Sequence, residues 1–333
     1  MFFQWFIFKM DIEHTMLKSG IKSGYKWSQT DSKIYIKVPR PSGITKEEIK
    51  FEYLPSDNSI YLCFCNNTES GICGKLYNSI GSADYEVYEK NIKIELTKVS
   101  SKTWPLVISD KCSKGIDSKS LFILGVQADS LKQYKNAWNY FNESSEKGFI
   151  IAKLLIADIL MTSKNPYGIK CNIDKSISIL KEIYSQTHVP EVGIKAAIAY
   201  KKKNMFEEAK SILQSCSETN DTAKLMLAKL LSPIFGELDE PQVSVKLFTQ
   251  LADVKNHEAM RCLGKHLIDG IGIEKNKEAG LKLIEEASAL DGTIAETIQV
   301  PDKLVSSLIG ISIGVGVIAL TFCIFSFISH RKK

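Results

Sequence analysis

From Tyr25 to about Ser109, apolar and polar residues alternate with a period of two, and this rhythm predicts β-strands. Lys33-Ile-Tyr-Ile-Lys-Val38 alternates cleanly until Pro39-Arg-Pro-Ser-Gly43 breaks it. Ile49–Leu54 resumes the pattern, Pro55–Asn58 supplies a turn, and Ser59–Cys65 forms the next strand. Leu76–Ile80, Asp84–Tyr88 and Asn91–Leu96 complete the set. Six or seven short strands with turns at this spacing predict an antiparallel β-sandwich, because each strand offers one apolar face that a second sheet must cover.

Residues 111–119 read as a polar linker, and beyond them the period changes to 3.6 and stays there to about Glu296. The helical pattern repeats. Positions that anchor a second helix fall at Ala137, Ser176, Ala209, Val245 and Ala279, at intervals of 39, 33, 36 and 34 residues. Each helix pair leaves an apolar face that only a neighbouring pair can bury, so a solenoid is expected. Gly270 and Gly272 supply positive φ in the last turn. Gly264 and Ala279 are small enough to let the two helices of that unit approach. His266 falls on the first of those helices as a packing or surface residue. The basic run Lys201-Lys202-Lys203 is either a solvated turn or a contact for acidic tails and lipid headgroups.

A third pattern closes the chain. Residues 304–329 carry no charge, and His330-Arg331-Lys332-Lys333 follows. A helix of that length covers roughly 39 Å at about 1.5 Å per residue, more than the roughly 30 Å of a hydrocarbon core. The expectation is a single transmembrane helix holding a tail-anchored body in the cytosol, at the endoplasmic reticulum or the mitochondrial outer membrane. The basic residues beyond the helix oppose that orientation, and a luminal body is the alternative. Gly310 and Gly314, four residues apart, suit close helix packing and a homodimer through the membrane. The opening MFFQWFIFKM makes a poor secretory signal: Gln4 interrupts it, and no charge precedes it. Residues 1–21 are expected to be a disordered apolar and charged segment.

Composition narrows the function. A net charge of +5, evenly spread, does not favour nucleic acid. Eight cysteines, at 63, 65, 73, 112, 171, 216, 262 and 323, lack metal-ligand spacing and read as free thiols. The five histidines form no nucleophile–base pair, and no phosphate-binding G-x-x-x-x-G-K-[ST] loop occurs. The chain therefore reads as no enzyme, without catalytic residues, metal or cofactor. Its multidomain class is an all-β sandwich, an all-α helical-repeat solenoid and one membrane helix, with boundaries at 22–110, 111–119, 120–296, 304–329 and 330–333.

Four segments of the β-region carry a resemblance: Tyr25-Lys-Trp27-Ser-Gln29-Thr30, Gly74-Lys-Leu76-Tyr77-Asn78, Ile94-Glu-Leu96-Thr-Lys98 and Trp104-Pro-Leu106. In this order they resemble CS domains, and within them the NudC-like branch. Pro105 departs from the pattern, where relatives often carry a second Trp, and so does Tyr85, where Trp is usual. The resemblance implies a seven-stranded, alpha-crystallin-like sandwich that binds client proteins or the ninety-kilodalton heat-shock chaperone. The last helical unit, with Leu263-Gly264, Gly270-x-Gly272, Ala279 and Ala287, resembles a Sel-one-like repeat, a relative of the tetratricopeptide type. Together these imply a non-catalytic membrane-anchored co-chaperone or adaptor, with client proteins on the sandwich and further protein partners on the repeats. A quality-control scaffold of the endoplasmic reticulum and a dynein-associated factor are the alternatives.

Overall fold

In the computed structural model of the protein, the described residues are 24–65 and 70–297. The expectations for residues 1–21, for the membrane helix 304–329 with Gly310 and Gly314, and for the tail 330–333 lie outside them. Among the described residues no helix is long and apolar enough to cross a membrane.

Eight strands build two antiparallel sheets. One contains β1 (Lys26–Gln29), β2 (Lys33–Pro39), β7 (Asn91–Lys98) and β6 (Ile80–Val87) in that order. The other contains β3 (Ile49–Leu54), β4 (Ser59–Phe64), β5 (Ser70–Leu76) and β8 (Ile108–Asp110). The alternation does what it predicts: Ile34, Ile36 and Val38 on β2 and Ile92, Ile94 and Leu96 on β7 face the core, while the residues between them face out. Ile60, Leu62 and Ile72 close the core from the second sheet.

One predicted strand is corrected. Leu76–Ile80 straddles the crossing between the sheets, because β5 ends at Leu76 and β6 begins at Ile80. There the Tyr77 N–H turns away to the carbonyl of Val107, at 2.9 Å. Strand β5 escapes the apolar pattern because Gly71 and Gly74 occupy it. A Cβ at Gly71 would meet Leu62 and Val38 at 2.9 Å, and one at Gly74 would meet Ile108 at 2.3 Å. Neighbouring side chains fill the space that strand residues would otherwise claim.

Residues 111–119 are also more than a polar connection. Ile116 and Asp117 are buried, and Cys112 and Gly115 pair in an antiparallel bridge. Asp117 N–H donates to Cys73 O at 3.1 Å, and Cys73 N–H donates back to Asp117 Oδ2 at 3.0 Å. The same carboxylate caps the first helix through the Ser120 N–H at 2.9 Å. The sandwich core then continues through Ile116, Leu121 and Leu124.

Ten helices follow among the described residues: α1 (Ser118–Ser130), α2 (Tyr134–Glu146), α3 (Ile150–Leu160), α4 (Ile173–Thr187), α5 (Pro190–Lys202), α6 (Phe206–Ser217), α7 (Asp221–Leu231), α8 (Pro241–Asp253), α9 (His257–Asp269) and α10 (Lys277–Thr297). The chain forms two compact units, one running through Leu231 with residues 235–238 and the other holding 232–234 and the residues from Asp239 onward. The repeat shows in the turns: Lys132, Asn204 and Lys255, each just after α1, α5 or α8, adopt left-handed φ of 59°, 58° and 60°. Ala137, Ser176, Ala209 and Val245 are buried on second helices. Ala279 is not: it is half-buried, and its neighbour Gly280 makes the close approach to Gly264, where a Cβ would fall 2.6 Å from the Gly264 carbonyl.

Candidate functional site

The outward half of the strand alternation places chemistry on one face of the first sheet. Lys33, Tyr35 and Lys37 face out from β2, and Lys93, Glu95 and Thr97 from β7. Register sets Lys26 opposite Lys37 and Lys37 opposite Lys93, so three ammonium groups form one row across β1, β2 and β7. Lys93 faces Glu86 on β6, which ends the row. Around the lysines lies a hollow of about 530 Å³ lined also by Trp27, Ser28, Tyr35, Tyr88 and Asn91.

Like charges directly opposite one another destabilise a sheet. Lys93 has relief from the Tyr35 ring, whose centroid lies 5.3 Å from its ammonium, and from Glu95 at 4.0 Å. Lys26 and Lys37 form no ion pair among the described residues. Glu95 spends most of its charge on Lys33: their hydrogen bond raises the lysine's pKa and lowers the glutamate's. The site is thus an open, cationic, aromatic-walled concavity. It can hold carboxylates against aromatic and aliphatic surface.

The residues that carry the CS resemblance lie elsewhere, with one exception. Trp27 lines the hollow. Gln29, Lys98 and Trp104 meet at the end of the sandwich: Gln29 Nε2 donates to Trp104 O and Trp104 N–H donates to Gln29 Oε1, both at 2.9 Å. Lys98 Nζ adds a bond to the carbonyl of Thr30 at 3.1 Å. This amide clamp pins the segment after β7 over the core, with the Trp104 indole fully buried and Tyr77 exposed beside it at a ring distance of 6.1 Å. Tyr25 is buried and its hydroxyl donates to Ser120 Oγ at 3.0 Å, since the Ser120 proton goes to Asp117 Oδ2 at 2.6 Å. Burial, then the nearby Asp117, pushes the Tyr25 phenol well above its usual range. Leu76 and Leu96 are core, and Gly74 sits at φ 148° against β8.

In the last repeat Leu263 and Ala287 are buried, and Gly270 ends α9 in the left-handed region at φ 74°. Gly272, at φ 72°, lies where a Cβ would stand 2.5 Å from the Pro241 carbonyl. His266 is fully buried. Its Nδ1–H donates to Ile271 O at 2.7 Å, and its Nε2 accepts from Ser232 Oγ at 2.9 Å. The lysine run 201–203 is engaged: Lys201 pairs with Glu237 at 3.2 Å, Lys202 donates to Met161 O at 3.0 Å, and Lys203 pairs with Asp174 at 2.9 Å. Among the described residues no group of three His, Cys, Asp or Glu is placed to hold a metal ion.

The lysine row is what sequence reasoning missed. Its signal was present in the polar half of the β2 and β7 alternation, but only the register brings Lys26, Lys37 and Lys93 together.

Residues 23–98 match the family model described as CS domain. Among solved structures, the chain is similar to a Sel1 repeat protein from Oxalobacter formigenes, at 13% identity over 52% of this chain and 51% of that one, with a TM-score of 0.41. It is similar to the nuclear movement protein from E. cuniculi GB-M1 at 20% identity, over 26% of this chain and 98% of that one, with a TM-score of 0.22. It is also similar to the CS domain of human KIAA1068 protein at 20% identity, over 29% and 80%, with a TM-score of 0.24. The chain spans about half the length of the Sel1 repeat protein it matches. A CS domain thus occupies residues 23–98, and the structural neighbours of the chain include Sel1-type helical repeats.

Proposed function

We propose that the protein is a non-catalytic adaptor of the co-chaperone type, whose CS domain docks an acidic segment of a client or chaperone while the helical repeats recruit a second protein. The row Lys26, Lys37 and Lys93 carries this reading: a cationic line in a sheet that is only partly compensated, at Lys93, is kept at the expense of stability, and a carboxylate-bearing partner is the chemistry that offsets it. Linking two binding modules raises the effective concentration of one partner near the other without any reaction. The motifs at Tyr25–Trp27, Gly74–Leu76 and Ile94–Leu96 favour a NudC-like branch within the CS class. The uncharged run 304–329 supports attachment to a membrane, for which a body in the cytosol is the placement proposed. Protection of the body from protease on intact vesicles would overturn that placement.

The test uses the full-length protein carrying Lys26→Glu, Lys37→Glu and Lys93→Glu together. Suppression of the aggregation of a thermally unfolding client, and binding to the ninety-kilodalton heat-shock chaperone by fluorescence anisotropy, are compared with the unmodified protein. Loss of either activity in a variant with unchanged circular dichroism supports the proposal and tells which partner uses the face. Retention of both activities refutes it.

A further inference from the structure

Two of the free thiols stand in contact across an expected linker. Cys73 is buried on β5, and Cys112 is half-buried on the strap that leads to α1. Their sulfurs lie 3.7 Å apart, although the two residues are 39 positions apart in the chain. A disulfide needs sulfurs about 2.05 Å apart. The gap left is small for a cysteine in a four-residue turn, where Gly115 at φ 106° gives the strap its bend. The two thiols also differ in kind. Burial pushes the Cys73 thiol well above its usual range, and the adjoining Cys112 sulfur and Asp117 carboxylate push in the same direction. Cys73 is thus the shielded, less reactive sulfur of the two, and Cys112 is the one a reagent reaches first.

We infer that Cys112 is a redox modification site that takes a small disulfide such as oxidised glutathione, and that Cys73 resolves it into an internal Cys73–Cys112 bond. The Cys112 sulfur first attacks one sulfur of glutathione disulfide, giving Cys112–S–S–glutathione and one reduced glutathione, which takes the Cys112 proton. The Cys73 sulfur then attacks Cys112, the mixed disulfide breaks, and the departing glutathione sulfur leaves with the Cys73 proton. Two protein thiols are oxidised and one glutathione disulfide is reduced to two thiols.

The bond would matter because of where the strap sits. Asp117, five residues beyond Cys112, joins the backbone of β5 to the N-terminus of α1. A covalent tie at Cys112 fixes the strap at both ends, so the sandwich and the first helix lose the freedom to separate. Oxidation would set the rigidity with which the two modules are held.

The test incubates full-length protein with glutathione disulfide, blocks the remaining thiols by alkylation, and maps the products by tandem mass spectrometry. The expected product is a tryptic peptide containing Cys112 joined through Cys73, with tryptic cleavage at Lys111 and Lys114 slowed several-fold and the melting temperature raised. Cys112→Ser should abolish the link, and Cys65→Ser, on exposed β4-end sulfur, should leave it intact. Because Cys73→Ser alters a buried position, the variant at the half-buried Cys112 carries the argument. Glutathione retained on Cys112 without a bond to Cys73, or modification confined to Cys63 and Cys65, would overturn the inference.

Discussion

Removing one charge from the lysine row should stabilise the protein. Lys37 is exposed and stands between Lys26 and Lys93, so Lys37→Thr relieves two like-charge pairs while keeping a residue that suits a strand. Paired strand residues place their Cβ atoms about 5 Å apart, and ammonium groups that splay to roughly 7 Å repel by about 0.6 kcal/mol in water. Lys93 is partly neutralised by Glu95, so the two pairs together are worth about 1 kcal/mol at low ionic strength. That corresponds to roughly 2–4 °C in melting temperature for a unit of this size. Salt separates charge from propensity: with a Debye length of about 3 Å at 1 M, the electrostatic part of the gain disappears there. Thermal melts by circular dichroism at 10 mM and 1 M sodium chloride, about thirty and three ångströms of screening respectively, read both parts. No gain at low salt, or a gain undiminished at 1 M, would refute the claim that the row is strained. A gain in stability joined to a loss of partner binding is the signature expected of a recognition surface.

Two further changes test the interior. Asp117→Ala removes the cap of α1 and leaves the buried Cys73 N–H without its acceptor, a loss of about 1 kcal/mol and about 1–3 kcal/mol respectively. Denaturant unfolding should show a deficit of about 2–4 kcal/mol against a smaller one for Asp117→Asn, and a deficit below about 1 kcal/mol would mean the strap is not the joint described. Burial lowers the pKa of His266 below its usual value, against the opposing pull of the Ile271 carbonyl and Asp269. The unfolded chain therefore takes up the proton first, so stability falls as pH drops below about 6.5 toward the lower folded value. His266→Phe should flatten that part of the stability–pH curve, and an unchanged slope would assign it to other groups.

Some of this protein is a local property of its sequence, and local properties are legible. The period of two in Lys33–Val38 and Asn91–Leu96 names the buried face of each strand, because side chains on a strand alternate whatever the partner is. The change to a period of 3.6, the left-handed turn glycine Gly270 and the buried anchors Ala137, Ser176 and Ala209 follow from helix geometry in the same way. Strand β5 was hidden because Gly71 and Gly74 have no side chains to show a pattern; their space belongs to Leu62, Val38 and Ile108 on other strands. Gly280 rather than Ala279 makes the close helix contact, since a one-residue rotation on α10 cannot be read without its partner Gly264.

What joins distant residues was decided by the tertiary structure alone. Gln29, Lys98 and Trp104 were each marked by motif, but only the closed sandwich turns them into one clamp. Residues 111–119 look polar and unstructured as a string, yet pairing with β5 buries Ile116 and Asp117. The lysine row and the Cys73–Cys112 contact depend on strand register and on a strap crossing back over β5. Sequence determines which face each residue takes, because that is settled within a turn or two of chain. Which residues meet across strands is settled by the pairing that buries the most apolar surface, and that choice belongs to the whole domain.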